Sequence, residues 1–189
     1  MNTTSTPEEP TADRYRRLAA ALTDRVDAVP AKNWDAQSPC EGWTARDVLR
    51  HVVESQADFV TKVDLSVAPG PSVDDDPSAA WHHTRDAVQS ILDDPAKADR
   101  EYDGGFGTTT LRASFDTFFC ADLIVHGWDI AHATGIEDTI DAADLEWVDA
   151  FAKSMGPAIR TPGAFGPELD APVDANQQTA VLAFLGRKA

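Results

Sequence analysis

The sequence predicts an all-α fold, a four-helix bundle with a helical extension at its C-terminal end. Two observations carry the prediction. Apolar residues recur at steps of three and four along four long segments, each bounded by capping or helix-stopping residues. Stretches that alternate apolar and polar residues, as a sheet would need, are too few. The length of 189 residues suits one domain with a substantial core.

Residues 1–10 are rich in Thr, Ser, Pro and Glu and read as a disordered tail, leaving 11–189 as a single domain. The first helix is expected over 11–29, where Tyr15, Leu18, Leu22, Val26 and Val29 form an apolar stripe that Pro30 ends. A loop over 31–43 carries Trp34 and Trp43. Thr44 then reads as an N-cap with Asp47 as its capping-box partner. The second helix is expected to reach about residue 64, with Val48, His51, Val52, Ser55 and Phe59 on one broad face. Asp76-Pro77 caps and starts a third helix to about 93, with Trp81, Thr84, Val88 and Ile91 inward and Pro95 closing it. Residues 100–110 read as an irregular turn or short hairpin. The fourth helix is expected over 111–134, with Gly135 as its C-terminal cap. A shorter helix over 142–153, a Gly/Pro-rich stretch over 155–172 and a last helix over 175–185 complete the chain.

Sixteen basic residues against thirty-two acidic ones give a net charge of −16. Such a field repels phosphate backbones and anionic lipid, so neither nucleic acid nor a membrane is an expected partner. The first ten residues lack the basic and apolar regions of a secretory signal, and no run approaches the ~20 apolar residues of a membrane helix. Cys40 and Cys120 fit a reducing compartment. A cytoplasmic protein is expected.

The chemistry concentrates on the fourth helix. On a wheel of 100° per residue Phe115, Phe118, Phe119, Asp122, His126 and Asp129 share a face, with Asp122 and His126 within ~40° of each other. Leu123, Ile124, Val125 and Ile130 make the flanks apolar, so the stretch is expected to be buried nearly all round. Burying an ionised carboxylate without a partner costs several kcal/mol. No Lys or Arg lies between Arg112 and Lys153, so a divalent metal is the expected compensation, held by Asp122, His126 and, from helix two, His51. A helical ion pair between Asp122 and His126, or a hydrogen-bonded core role for His51, is the bland alternative. Asp129 accepts a hydrogen bond from a ligand histidine or a neighbouring helix, or moves a proton as a catalytic group. A His₂Asp set leaves a position open for water or substrate, as in catalytic zinc sites, and also resembles a non-haem iron arrangement.

Other polar residues are expected to stand apart. Cys40 lies near the start of helix two, but Glu41 beside it opposes a thiolate. Cys120 falls ~200° from Asp122. His82, His83 and His132 read as solvated or packing groups, while Trp43 and Trp128 line a pocket mouth or simply pack.

The segment Trp34…Ser38-Pro39-Cys40-Glu41-Gly42-Trp43-Thr44…Asp47…His51, with Val125-His126-Gly127-Trp128-Asp129-Ile130-Ala131, resembles the DinB-like metal-binding proteins of actinobacteria. These are relatives of the N-terminal domain of mycothiol-dependent maleylpyruvate isomerase. The ending Phe165-Gly166-Pro167…Leu182-Ala183-Phe184-Leu185-Gly186-Arg187 is similar to the same family. The resemblance implies a bundle with a long crossover connection and a zinc-type site of one histidine from helix two and a Glu/His pair four apart. Those positions fall on His51, Asp122 and His126, with Asp122 one methylene shorter than the family's glutamate; the isomerase's additional C-terminal domain is not expected here. The implied activity is a transferase or isomerase that uses zinc, or else nickel, iron or manganese. It joins a small thiol such as mycothiol to a small electrophile. A non-enzymatic metal- or ligand-binding protein and a metal-free scaffold are the alternatives. A homodimer is one open outcome for the assembly.

Overall fold

The computed structural model describes residues 9–104, 107–161 and 165–189. Of the expected tail, all but Glu9 and Pro10 lies outside these residues. Helix α1 (Thr11–Ala28) starts directly after Pro10 and buries Tyr15, Leu18, Leu22 and Val26. Helix α2 (Ala45–Phe59) opens with the capping box expected of Thr44 and Asp47: the Thr44 hydroxyl accepts from the Asp47 amide, and the Asp47 carboxylate from the Thr44 amide. A 3₁₀ turn (Val60–Val63) extends it to Asp64, whose left-handed backbone (φ 56°) ends the segment. Helix α3 (Pro77–Leu92) is capped by the Asp76 side chain. Pro95 does not merely close it: with Asp94 as cap it begins a further turn, α4 (Pro95–Ala98), because proline suits a first helical position. The strands β1 (Glu101–Asp103) and β2 (Thr108–Thr110) then pair antiparallel, the hairpin alternative for this stretch.

The expected fourth helix is in three parts. Helix α5 (Leu111–Ser114) passes into a π segment (Phe115–Phe119) and then α6 (Cys120–Thr134), which ends at left-handed Gly135. The π segment closes wider turns than an α-helix, so the 100° wheel loses phase across it. Phe115 and Phe119 turn inward as expected, but Phe118 is 46 % exposed. After this come α7 (Ala142–Ser154), a 3₁₀ turn (Gly156–Arg160) and α8 (Gln177–Phe184).

Helix α1 packs against α3 and α6, and α2 against the same two, so the order around the bundle is α1, α3, α2, α6. Consecutive α1 and α2 occupy opposite corners, and the chain between them makes the crossover. Trp34, 5 % exposed, anchors that passage, and its carbonyl accepts the Arg46 amide. Tyr15 of α1 donates to Gln56 Oε1 of α2 through the core at 2.6 Å. The fold is all-α in its load of structure, with the two-stranded hairpin as a small addition.

Candidate metal centre

Helix α6 is buried from Leu123 through Ala131 without a break. No single apolar stripe explains this; the helix fills the bundle interior, and its polar groups must find partners there. The capping box fixes where α2 begins, and one face of the helix packs against α6. That face carries His51. The rings of His51 and His126 meet edge-on with centroids 5.2 Å apart. His51, Asp122 and His126 each offer a ligand atom, and these atoms lie within 4.8 Å of one another.

The three side chains differ in what else they touch. Among the described residues no hydrogen bond reaches His51 or Asp122. His126 is engaged on one side, where Nδ1 meets Asp129 Oδ2 at 2.9 Å, leaving Nε2 as the ring atom to offer. Burial, with His126 nearby, lowers the His51 pKa to about 4, so this imidazole is neutral and keeps a lone pair. Burial also pushes the Asp122 carboxyl above its ordinary value, against the pull of His126 and Arg187. Burial alone would lower His126; the hydrogen bonds to Asp129 and Cys40 and the charge of Asp122 outweigh it and raise the pKa to about 10. Two imidazoles and a carboxylate converge, His51 and Asp122 without a hydrogen bond among the described residues, and that donor set fits a divalent ion of the zinc type.

Asp129 is fully buried. Sequence reasoning placed it inward but missed its cation. Arg187, beyond the end of α8, sends Nε to Asp129 Oδ1 at 3.2 Å and Nη2 to Oδ2 at 3.1 Å. The premise that the interior lacks cations therefore fails for Asp129, although no ion pair joins Arg187 to Asp122 among the described residues. Burial would raise the Asp129 carboxyl, yet His126 and Arg187 hold it below its ordinary value. Cys40, expected to stand apart, belongs to the same cluster. The turn before α2 is closed by the Ser38 amide to the Trp43 carbonyl and the Trp43 amide to the Cys40 carbonyl. It carries the Cys40 thiol to within 3.2 Å of Asp129 Oδ2. Both residues lie in the segments on which the family resemblance rests, Pro39-Cys40-Glu41 and Leu185-Gly186-Arg187, and that is the one sequence signal for them.

The same turn sets Trp43 over the site, its ring 5.2 Å from that of His51. A concavity of about 460 Å³ opens there, lined by Trp43, Asp47, Arg50, His51 and Glu54. Arg50 is paired with Asp47 and Asp74. Trp128 is not at a mouth: it is fully buried and stacks on His132. His82 meets Asp27, His83 meets the Ala68 carbonyl and His132 meets Asp138, all away from this cluster. Burial pushes the Cys120 thiol up to about 12.

The family model described as the mycothiol maleylpyruvate isomerase N-terminal domain matches residues 15–131. Two proteins of Mycobacterium tuberculosis, one from strain CDC 1551 / Oshkosh and one from strain H37Rv, are each 26% identical over 175 residues. Those alignments cover 92% of this chain and 95% of either relative, and both relatives carry the description uncharacterized protein. No solved structure matches the chain.

Proposed function

The chain belongs to the mycothiol maleylpyruvate isomerase N-terminal domain family, and from that premise we propose that it is a metal-dependent thiol transferase or isomerase acting on a small electrophile. The observation that carries the reading is the convergence of His51, Asp122 and His126, of which His51 lines a surface concavity. Zinc is the metal we assign first; nickel, iron and manganese are the alternatives that elemental analysis separates. When bound, such an ion holds a thiol in its nucleophilic thiolate form.

The chain's own residues do the rest. His51 brings a neutral imidazole and Asp122 a negative charge. Asp129 fixes the orientation of His126 through Nδ1 and makes the imidazole more basic. Being sealed off and held by Arg187, Asp129 serves to position the histidine and not to carry a proton to substrate. Trp43 offers an apolar wall for the electrophile beside His51. The family name supplies mycothiol as the thiol to try first.

The test supplies mycothiol to metal-loaded and chelated protein and reads net conjugation with a small test electrophile, for a transferase, and cis–trans conversion of maleylpyruvate with the thiol regenerated, for an isomerase. The reading expects turnover that a chelator abolishes and added zinc restores. Turnover that survives the chelator removes the metal from the mechanism. Bound metal without turnover with any thiol turns the reading to the non-enzymatic metal-binding alternative.

A further inference from the structure

The interior holds two sets of ligand-type side chains that share His126. The outer set is His51, Asp122 and His126; the inner set is Cys40, His126 and Asp129, and in each the offered atoms lie within 4.8 Å of one another. Cysteine, histidine and aspartate together are a zinc or cobalt donor set at least as good as the outer one. Charge at the two sets differs. The inner set already contains a cation, the guanidinium of Arg187, whereas no Lys or Arg bonds to the outer carboxylate among the described residues.

The Arg187 contacts account for its whole planar head. Nε and Nη2 take the two oxygens of Asp129, Nη2 also reaches Cys40 Sγ at 3.3 Å, and Nη1 donates to the Leu185 carbonyl at 3.2 Å. Phe165 lies under the plane, with the guanidinium carbon 5.5 Å from the ring centre. Asp129 Oδ2 additionally receives His126 Nδ1 and the Cys40 thiol. Both oxygens are thus committed, and the cysteine sulfur faces a positive charge. The backbone delivers this residue inward by design of the turn. Gly186 is left-handed (φ 76°), its amide bonds to the Ala183 carbonyl, and the Arg187 amide bonds back to the Leu182 carbonyl, a Schellman closure of α8.

We propose that Arg187 is a resident cation that closes the Cys40–His126–Asp129 set to metal and so selects the outer set. In consequence Cys40 stays off the metal. On the reading of the outer set as the reaction centre, this matters: a resident thiolate would fill the position that an incoming thiol needs. A guanidinium suits the task because it satisfies both carboxylate oxygens and cannot be deprotonated.

Cobalt(II) reports directly, since a thiolate ligand adds a charge-transfer absorption in the near ultraviolet that imidazole and carboxylate do not. The tag-free protein is titrated with cobalt alongside Arg187→Gln, Arg187→Met, Arg187→Lys and the double variant Arg187→Gln/Cys40→Ser, with folding checked by circular dichroism. The expected result is no thiolate band in the wild type or in Arg187→Lys, a band growing in step with cobalt in the two neutral variants, and its loss in the double variant. A thiolate band in the wild type overturns the proposal, and that arm decides even if neither neutral variant folds. Absence of the band in a folded neutral variant also overturns it. Wild-type protein that takes up no cobalt at all counts against the outer site and its proposed reaction, while the neutral variants still decide the role of Arg187.

Discussion

His51 and His126 stand with their rings in contact, yet their surroundings drive them in opposite directions. His51 has only burial and a neighbouring imidazole, so its pKa falls to about 4; His126 has Asp129 and Asp122, so its pKa rises to about 10. Linkage fixes the signs for the metal-free protein. The His126 contribution to stability is fully present below the unfolded value of 6.5 and is lost as the pH rises towards 10. The unfolded chain protonates at His51 more readily than the folded one, so stability also falls as the pH drops from 6.5 towards 4. Urea unfolding with chelator at about pH 5, 6.5 and 9 is expected to show the largest contribution from this pair near the middle value. A flat profile across those values contradicts the assigned protonation states. Asp129→Asn should weaken metal binding about 10–100-fold while leaving the ligands in place; an unchanged affinity, read by competition with a chelating dye, assigns Asp129 no part in it. The closeness of Asp122 and His126 was legible because helical spacing alone puts them on one face. Arg187 was not, because 58 residues separate it from Asp129 and an arginine near a chain end reads as solvated.

Among the elements, the capping signals translated most directly. Thr44 with Asp47, and Asp76 with Pro77, fix helix starts through local hydrogen bonds that need no tertiary information. The π segment is the opposite case. Nothing in Phe115–Phe119 announces an extra residue per turn, so a wheel drawn through it puts Phe118 inside when it is exposed. Asp122 and His126 escape the error because both lie on the C-terminal side of it. The end of α8 is equally strict. A Cβ on Gly186 would stand 2.8 Å from the Pro167 carbonyl oxygen, on a backbone that L-residues seldom adopt. Gly186→Ala should therefore cost about 1 kcal/mol or more, seen as a lower urea midpoint. A midpoint equal to the wild type removes the strained turn from the account of how Arg187 is aimed.

Over the whole molecule, the two helices that bear the site, α2 and α6, are neighbours only because the chain crosses the bundle between α1 and α2. Helical periodicity announced the number of long helices but not their order around the bundle, since a 3.6-residue repeat says which face is buried and not against what; the resemblance implied a crossover without saying where it falls, and the packing of the helices places it. No helix among the described residues is long and apolar enough to cross a membrane, and the charge of −16 disfavours phosphate-rich partners. We propose that residues 11–189 behave as one domain. Thermal unfolding should then be a single transition that a chelator moves to lower temperature, because metal binds the folded form. Two resolved transitions would divide the domain.

We propose that His51, Asp122 and His126 hold a metal together, and the metal content of tag-free protein after zinc loading and exhaustive dialysis decides it. Stoichiometric zinc is predicted for the wild type, and its loss from folded His51→Ala and His126→Ala. A wild type that retains none, or variants that retain as much as the wild type, would contradict it.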